Sequence, residues 1–296
     1  MTLTGVHLLL TYQCTAECDH CFVWGGPRQK GVLGIDALER VLVQAKDAGV
    51  QWIYFEGGEP FLYYAELVRG VRRASEMDFS VGIVSNAYWA VSVSDAVDWL
   101  QPFVGRLQDL TVSSDLFHCE KLLGEEPQNA LAAAKWLNIP TGMISIAQPG
   151  EAAPETLGQI GDEGAVMFRG RAAQTLAANH LDRPWESLTS CPHEDLRDPG
   201  RAHVDPLGYV HVCQGVTIGN LFQRPLSEIC EGYDPQAHPI CGPLLDGGPA
   251  ALVTEYGLPH RAAYADACHL CYESRVALRP RFPAILAPDQ MYGVFE

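Results

Sequence analysis

The sequence predicts a mixed α/β fold: a partial (β/α)6 TIM-like barrel with a cysteine-rich hairpin-plus-helix appendage at its C-terminal end. Three observations predict it. From residue 5 to about 180, short apolar runs alternate with amphipathic stretches, the pattern of right-handed βαβ units on a parallel sheet. After about residue 185 the texture changes, and six of the ten cysteines fall there among many Pro and Gly. The length, 296 residues, suits a barrel-sized body with an added segment. We place the boundary between a barrel over 1–185 and an auxiliary domain over 186–296.

The elements follow in order. Residues 6–10 read as a buried strand. Asp36 is placed to cap a helix over 36–48, with Gly49 as its stop. Residues 51–55 form a second strand. Residues 61–76 are helical, with Leu62, Ala65, Val68 and Arg72 spaced along one face. A third strand over 80–84, a helix over 94–100, a fourth strand over 107–112 and an Ala-rich helix over 128–137 continue the alternation. Strands over 142–147 and 165–168 and a helix over 172–178 complete it. In the appendage, 203–205, a Pro-Leu-Gly turn and 209–212 make a hairpin. Short helices are expected over 226–231 and 268–278, and Gly247-Gly248-Pro249 reads as a turn. This segment has little apolar pattern of its own.

Composition narrows the functional classes. Apolar residues make up 47% and charged residues 19%, so the chain is globular. Its net charge of -16 repels phosphate backbones, so a nucleic-acid partner is not expected. No basic n-region opens the chain, and no apolar run nears the roughly 20 residues of a membrane span, so no membrane association is expected. The chain reads as cytoplasmic. In a reducing compartment ten cysteines point to metal or redox chemistry rather than to disulfides.

The sharpest signal is Cys14-Thr15-Ala16-Glu17-Cys18-Asp19-His20-Cys21, just after the first strand. In a parallel sheet of this kind, functional groups collect at the carboxyl ends of the strands. Thiolates ligate iron–sulfur clusters, and a cubane normally takes four. Three cysteines in one loop leave one iron open to a small molecule. A zinc site of three thiolates and His20 is the competing reading of the spacing. Gly57-Gly58-Glu59-Pro60 follows the second strand. Its glycines allow close backbone approach to a ligand, and Glu59 offers an acceptor for an ammonium; taken alone it is also an ordinary turn.

The loop and the GGEP turn together resemble the signature of the radical S-adenosylmethionine (SAM) superfamily. The resemblance implies a 4Fe–4S cluster on Cys14, Cys18 and Cys21, with SAM on the fourth iron and its amino group received at Gly57, Gly58, Glu59 and Pro60. It implies further SAM contacts at Ser85 and Asn86, which end the third strand, and at Ser113 and Ser114, which end the fourth. Ile146 is expected to pack on the adenine. Arg169-Gly170-Arg171 resembles the superfamily's Gly-Arg-Ala turn, which makes Arg169 a cofactor-binding candidate; solvated arginines at a helix start are the plain alternative.

The set Cys191, Cys213, Cys268 and Cys271, with Gly208 four residues short of Cys213, resembles the twitch appendage, a shortened SPASM domain. That implies a second, auxiliary 4Fe–4S cluster. No further cysteine follows Cys271, so a second auxiliary cluster is not expected. Cys241 is an alternative ligand, Cys230 a buried helix cysteine, and a structural zinc site the alternative for the whole group. Any of these metals would add folding energy to the segment.

Asp115, His118 and Cys119 lie just past the fourth strand and are the catalytic candidates. Cys119 is either a small core residue or a hydrogen-atom donor that quenches a substrate radical. The resemblance implies reductive cleavage of SAM to a 5′-deoxyadenosyl radical and hydrogen abstraction from a peptide or small metabolite. An external one-electron reductant such as a flavodoxin or ferredoxin is the implied partner. Net oxidation aided by the auxiliary cluster, a redox-neutral epimerase or mutase using Cys119, and a metal-binding or electron-transfer protein without SAM chemistry are the three functional readings. No peptide-docking or cobalamin domain is expected.

Overall fold

The computed structural model describes residues 1–115, 117, 124–146 and 163–295. Five strands, β1 (Gly5–Thr11), β2 (Trp52–Gly57), β3 (Ser80–Ser85), β4 (Asp109–Ser113) and β5 (Thr141–Ile146), pair in that order, all parallel. A two-residue β6 (Glu163–Gly164) adds to β5. On the other side, β8 (Arg201–Val204) runs parallel to β1, and β9 (Tyr209–Cys213) and β10 (Val216–Asn220) continue antiparallel. One nine-stranded sheet therefore joins the expected barrel to the expected hairpin. A separate pair, β7 (Arg183–Pro184) and β11 (Ala263–Tyr264), ties the C-terminal half together.

Strand alternation makes the two faces of the sheet different. Val6, Leu8, Leu10, Ile53, Phe55, Val81, Ile83, Leu110 and Val112 are fully buried on the outer face. Helices α1 (Ile35–Asp47), α2 (Tyr64–Glu76), α3 (Val93–Leu100) and α4 (Glu125–Trp136) cover that face with Leu42, Val71, Leu100 and Ala133 among their buried residues. The inner face carries His7, Tyr54 and Asp109, and the register sets His203, His7, Tyr54, Gly82 and Asp109 in one row across five strands. Gly82 leaves room for the Tyr54 ring; a Cβ there would lie 2.2 Å from Tyr54 Cε1.

The C-terminal half holds α6 (Leu226–Glu231), α7 (Cys241–Tyr256) and α8 (Ala267–Leu278), after a short α5 (Arg171–Thr175). It supplies most of a second core, in which Val212, Ile240, Leu252, Tyr272 and Tyr292 pack with Leu9, Tyr12 and Trp24 from β1 and the loop after it. The segment expected to have little apolar pattern thus supplies most of a second core. Its apolar residues sit in short elements, so no long periodicity announces them.

Three local expectations need correction. The sixth strand lies at Glu163–Gly164, not over 165–168. Val166 and Phe168 instead bury in a small cluster with Ala172, Ala177 and Ala265, and the Asp266 carboxylate accepts from the Phe168 N–H at 3.2 Å. Asp36 does not cap α1; Gly34 occupies that position and Asp36 sits in the first turn. Gly247-Gly248-Pro249 is a kink inside α7, where Gly248 at φ +63° would place a Cβ 2.3 Å from Ser190 N.

Candidate functional site

The chain leaves β1 and enters the cysteine loop. Cys14 and Cys18 are buried, and Cys21 is partly so. The Cys21 N–H donates to Cys18 O at 3.0 Å, which tightens the second half of the loop. Two backbone donors face sulfur: Ala16 N lies 3.5 Å from Cys14 Sγ and Gly25 N 3.2 Å from Cys21 Sγ. Burial pushes the Cys14 thiol up to about 11, with the Ala16 N–H opposing and Glu59 and Cys21 adding to the rise. Burial raises Cys18 further, with Cys21, Cys14 and Asp115 contributing. The thiols are crowded enough to feel one another, and a cation or cluster would relieve that repulsion.

Arg171 clamps the loop. Its guanidinium donates to Cys18 O at 2.7 Å and to Gly25 O at 2.6 Å, and its N–H donates to Cys21 O at 3.0 Å. Gly170, at φ +60°, lets this contact form; a Cβ there would sit 2.6 Å from Phe22 Cα.

The GGEP turn lies directly against the same loop. Gly58 N donates to Thr11 O at 2.7 Å and Glu59 N to Gln13 O at 2.8 Å. A Cβ on Gly58 would lie 2.1 Å from Gln13 O, and one on Gly57 (φ +137°) 2.4 Å from Thr11 O. The glycines are therefore required by backbone packing against the β1 exit. The Glu59 carboxylate is fully buried and accepts from Ser85 Oγ at 2.9 Å, Asn86 N at 2.8 Å and Phe61 N at 3.1 Å. Pro60 opens a short 3-10 turn behind it.

Ser85 is buried beneath this turn and also accepts from Trp89 Nε1 at 2.9 Å. Asn86 reaches the cysteine loop, with Nδ2 3.5 Å from Cys14 Sγ and 3.0 Å from Thr15 Oγ1. Ser113 ends β4, and Ser114 and Asp115 follow it, both buried; Asp115 accepts from Phe117 N at 3.0 Å. Ile146 ends β5 and packs on the cluster around Val166 and Phe168. His20 contacts the Phe117 ring at 4.7 Å between centroids. His118 and Cys119 lie outside the described residues.

A second cysteine group lines a pocket formed by Cys191, Cys213, Cys268 and Cys271, with Arg169, Arg275 and His193. Burial pushes Cys271 up to about 12, with Arg275 opposing, and raises Cys191 and Cys268. Arg169 points here: its Nη1 is 3.1 Å from Glu194 Oε1 and 3.4 Å from Cys213 Sγ. Cys241 is fully buried and raised to about 12 by burial, with Tyr233 opposing. Cys230 packs in the barrel's core instead.

Sequence reasoning missed Arg171 as the clamp of the loop, and it missed an inner-face trio of His7, Glu56 and His203. The signal for the trio was present: His7 and Glu56 are ionisable residues within two largely apolar strands. Burial disfavours the Glu56 acid's charged form, but His7 and His203 outweigh it and hold the carboxyl well below its usual range.

Donor chemistry tests which group could fit the cysteines. Thiols are the usual ligands of iron–sulfur clusters. A single zinc ion with sulfurs at ~2.3 Å holds them ~3.8 Å apart. Among the described residues, neither cysteine set brings three thiols within 4.8 Å of one another. His193, Asp266 and Cys268 do bring one ligand atom each within that distance at the second group. The donor sets, three thiols at the first place and four at the second, are of the kind that holds an iron–sulfur cluster, and the residues at both places fit such a group.

Comparison with known proteins bears on the fold. No family model matches the chain. It is 25% identical over 128 residues to YydG of Bacillus subtilis (strain 168), named for peptide biosynthesis, a match covering 43% of this chain and 40% of that one. It is 32% identical over 121 residues to the S-adenosylmethionine-dependent nucleotide dehydratase RSAD2 of Danio rerio, covering 39% and 32%. The matched stretch thus spans two fifths or less of these relatives. Among solved structures, Streptococcus suis SuiB is similar at a TM-score of 0.52 and 15% identity, over 81% of this chain and 68% of that one. The protein anSMEcpe, solved with bound AdoMet, is similar at 0.51 and 12% identity, over 96% and 98%. The fold is therefore that of these partial barrels with a C-terminal extension.

Proposed function

We propose, from the premise that this chain is a radical SAM superfamily member with an auxiliary domain, that it is an enzyme acting by hydrogen abstraction on a peptide or small metabolite. One observation carries the reading: the three-cysteine loop is clamped by Arg171 and the GGEP turn at the carboxyl end of β1, over a polar barrel interior.

Cys14, Cys18 and Cys21 would hold a 4Fe–4S cluster. When bound, that group with SAM supplies reductive cleavage to a 5′-deoxyadenosyl radical. The chain's own residues do the rest. Arg171 fixes the loop, and Asn86 is set to orient what binds beside Cys14. Glu59, which accepts from Ser85 Oγ, Asn86 N and Phe61 N, holds the β2 and β3 exits together beside the polar backbone of the turn, where an amino group would be received. Ser113, Ser114, Asp115 and Ile146 line the neighbouring strand ends as candidate contacts for SAM and substrate.

Cys191, Cys213, Cys268 and Cys271 would hold an auxiliary cluster, and net oxidation is the reading its presence favours. Support for a peptide substrate comes from YydG's name. A flavodoxin- or ferredoxin-like reductant and a cytoplasmic location complete the proposal; among the described residues no helix is long and apolar enough to cross a membrane.

The test is anaerobic loading with iron and sulfide, then reduction by dithionite with SAM. Release of 5′-deoxyadenosine by the wild type, and not by Cys18→Ala, is expected. Iron near eight per chain, falling to near four in Cys268→Ala, is the expected count for two cubanes. A loaded protein that leaves SAM intact would overturn the enzyme reading.

A further inference from the structure

We propose that His7, Glu56 and His203 form a binding site for one divalent transition-metal ion, separate from both cysteine groups. The trio sits on the inner face of the sheet. His7 of β1 is in register with His203 of β8 on one side and with Tyr54 of β2 on the other, and Glu56 lies two residues beyond Tyr54 on the same face.

Three ligand atoms converge. His7 Nδ1 is 3.0 Å and His203 Nε2 is 3.2 Å from the same oxygen, Glu56 Oε1. One ligand atom from each residue lies within 4.8 Å of the others. A metal bound to nitrogen and oxygen at ~2.0–2.2 Å has neighbouring ligands ~2.8–3.1 Å apart in octahedral and ~3.3–3.6 Å apart in tetrahedral geometry. The two nitrogen–oxygen separations therefore fall within the range of neighbouring ligands on one ion. Ligation needs each ring nitrogen that faces Glu56 to give up its proton, to the other ring nitrogen if the imidazole is neutral or to solvent if it is protonated.

The rings are held from behind. His7 stacks on Tyr54 at 4.9 Å and 14°, and Phe22, next to Cys21, meets His203 edge-on at 6.0 Å. The three side chains keep 16–18% exposure, so an ion can enter from the barrel interior and retain open positions. Two imidazoles and one carboxylate are borderline ligands suited to zinc(II) or iron(II), and the same set occurs in open catalytic zinc and non-haem iron sites. No cysteine takes part, so the site does not depend on the proposed SAM chemistry.

The test uses the full chain after iron and sulfide loading and desalting, titrated with zinc(II) alone by calorimetry, with retained metal counted. One equivalent bound by the wild type is expected. Affinity should fall at least about tenfold in His203→Gln and in Glu56→Gln with the iron count unchanged, and stay in place in Cys18→Ala. X-ray absorption at the zinc edge of the wild type supplies a measurement independent of any variant: a shell of nitrogen and oxygen alone is expected. Sulfur in that shell, or equal zinc affinity in wild type and His203→Gln, would overturn the proposal.

Discussion

Arg169 donates from Nη1 to Cys213 Sγ at 3.4 Å, and the turn that carries it also clamps the first cysteine loop through Arg171. Two residues apart, these arginines face different cysteine groups, so one short turn couples both. Arg169 is 7% exposed, and burial would favour its neutral form; Cys213 and Glu194 outweigh that and keep it cationic. A buried cation beside a thiolate favours the more negative state of whatever the thiolates hold.

Removing that cation has a measurable consequence. Arg169→Gln should make the proposed auxiliary cluster harder to reduce by ~60 mV, a tenfold change for one electron, and Arg169→Lys should recover part of it. Potentiometric titration read by electron paramagnetic resonance checks this; an unchanged midpoint in Arg169→Gln refutes it.

Arg171 acts on the loop rather than on a ligand. Its two guanidinium bonds reach main-chain oxygens of Cys18 and Gly25. Each charged hydrogen bond contributes about 1.5–3 kcal/mol. Arg171→Ala should lower iron retention at the first site while leaving that at the second near its wild-type value. Iron counts on Arg171→Ala and on the double variant with Cys268→Ala separate the two sites.

Gly58 tolerates no side chain. With a Cβ 2.1 Å from Gln13 O, Gly58→Ala must push the GGEP turn from the β1 exit. A cost of about 2–3 kcal/mol is expected, of the size seen for overpacked buried sites. Thermal unfolding should fall by several degrees, and the loss is steric, since Gly58 does not adopt a positive φ.

Asp109 gives a pH signature. Burial raises its pKa above the ordinary 3.8, with hydrogen bonds from Thr111 and Tyr54 opposing. A raised carboxyl favours folding while protonated, so its contribution is full below 3.8 and is lost as pH rises through the folded value. Asp109→Asn removes the buried charge and keeps an acceptor for Thr111 Oγ1, which donates at 2.7 Å. The variant should be more stable than wild type near neutral pH by on the order of 1 kcal/mol. That gain should vanish below 3.8, as urea midpoints across pH would show.

Much of the architecture was legible because it rests on local patterns. Apolar runs such as 52–55 and 81–84 mark strands whatever they pair with, and close cysteine spacing marks a candidate ligating loop by itself. The sequence alone thus determined the parallel barrel, the three-cysteine loop beside the GGEP turn, and a second cysteine group in the C-terminal half. Tertiary structure decided the rest, because it depends on residues far apart in the chain. Only pairing of β8 with β1 brings His203 to His7, 196 positions away by number. Only the turn after β6 sends Arg169 toward Cys213 and Arg171 toward Cys18. A charged side chain finds its partner through the packing around it, and that packing leaves no periodicity for the sequence to display.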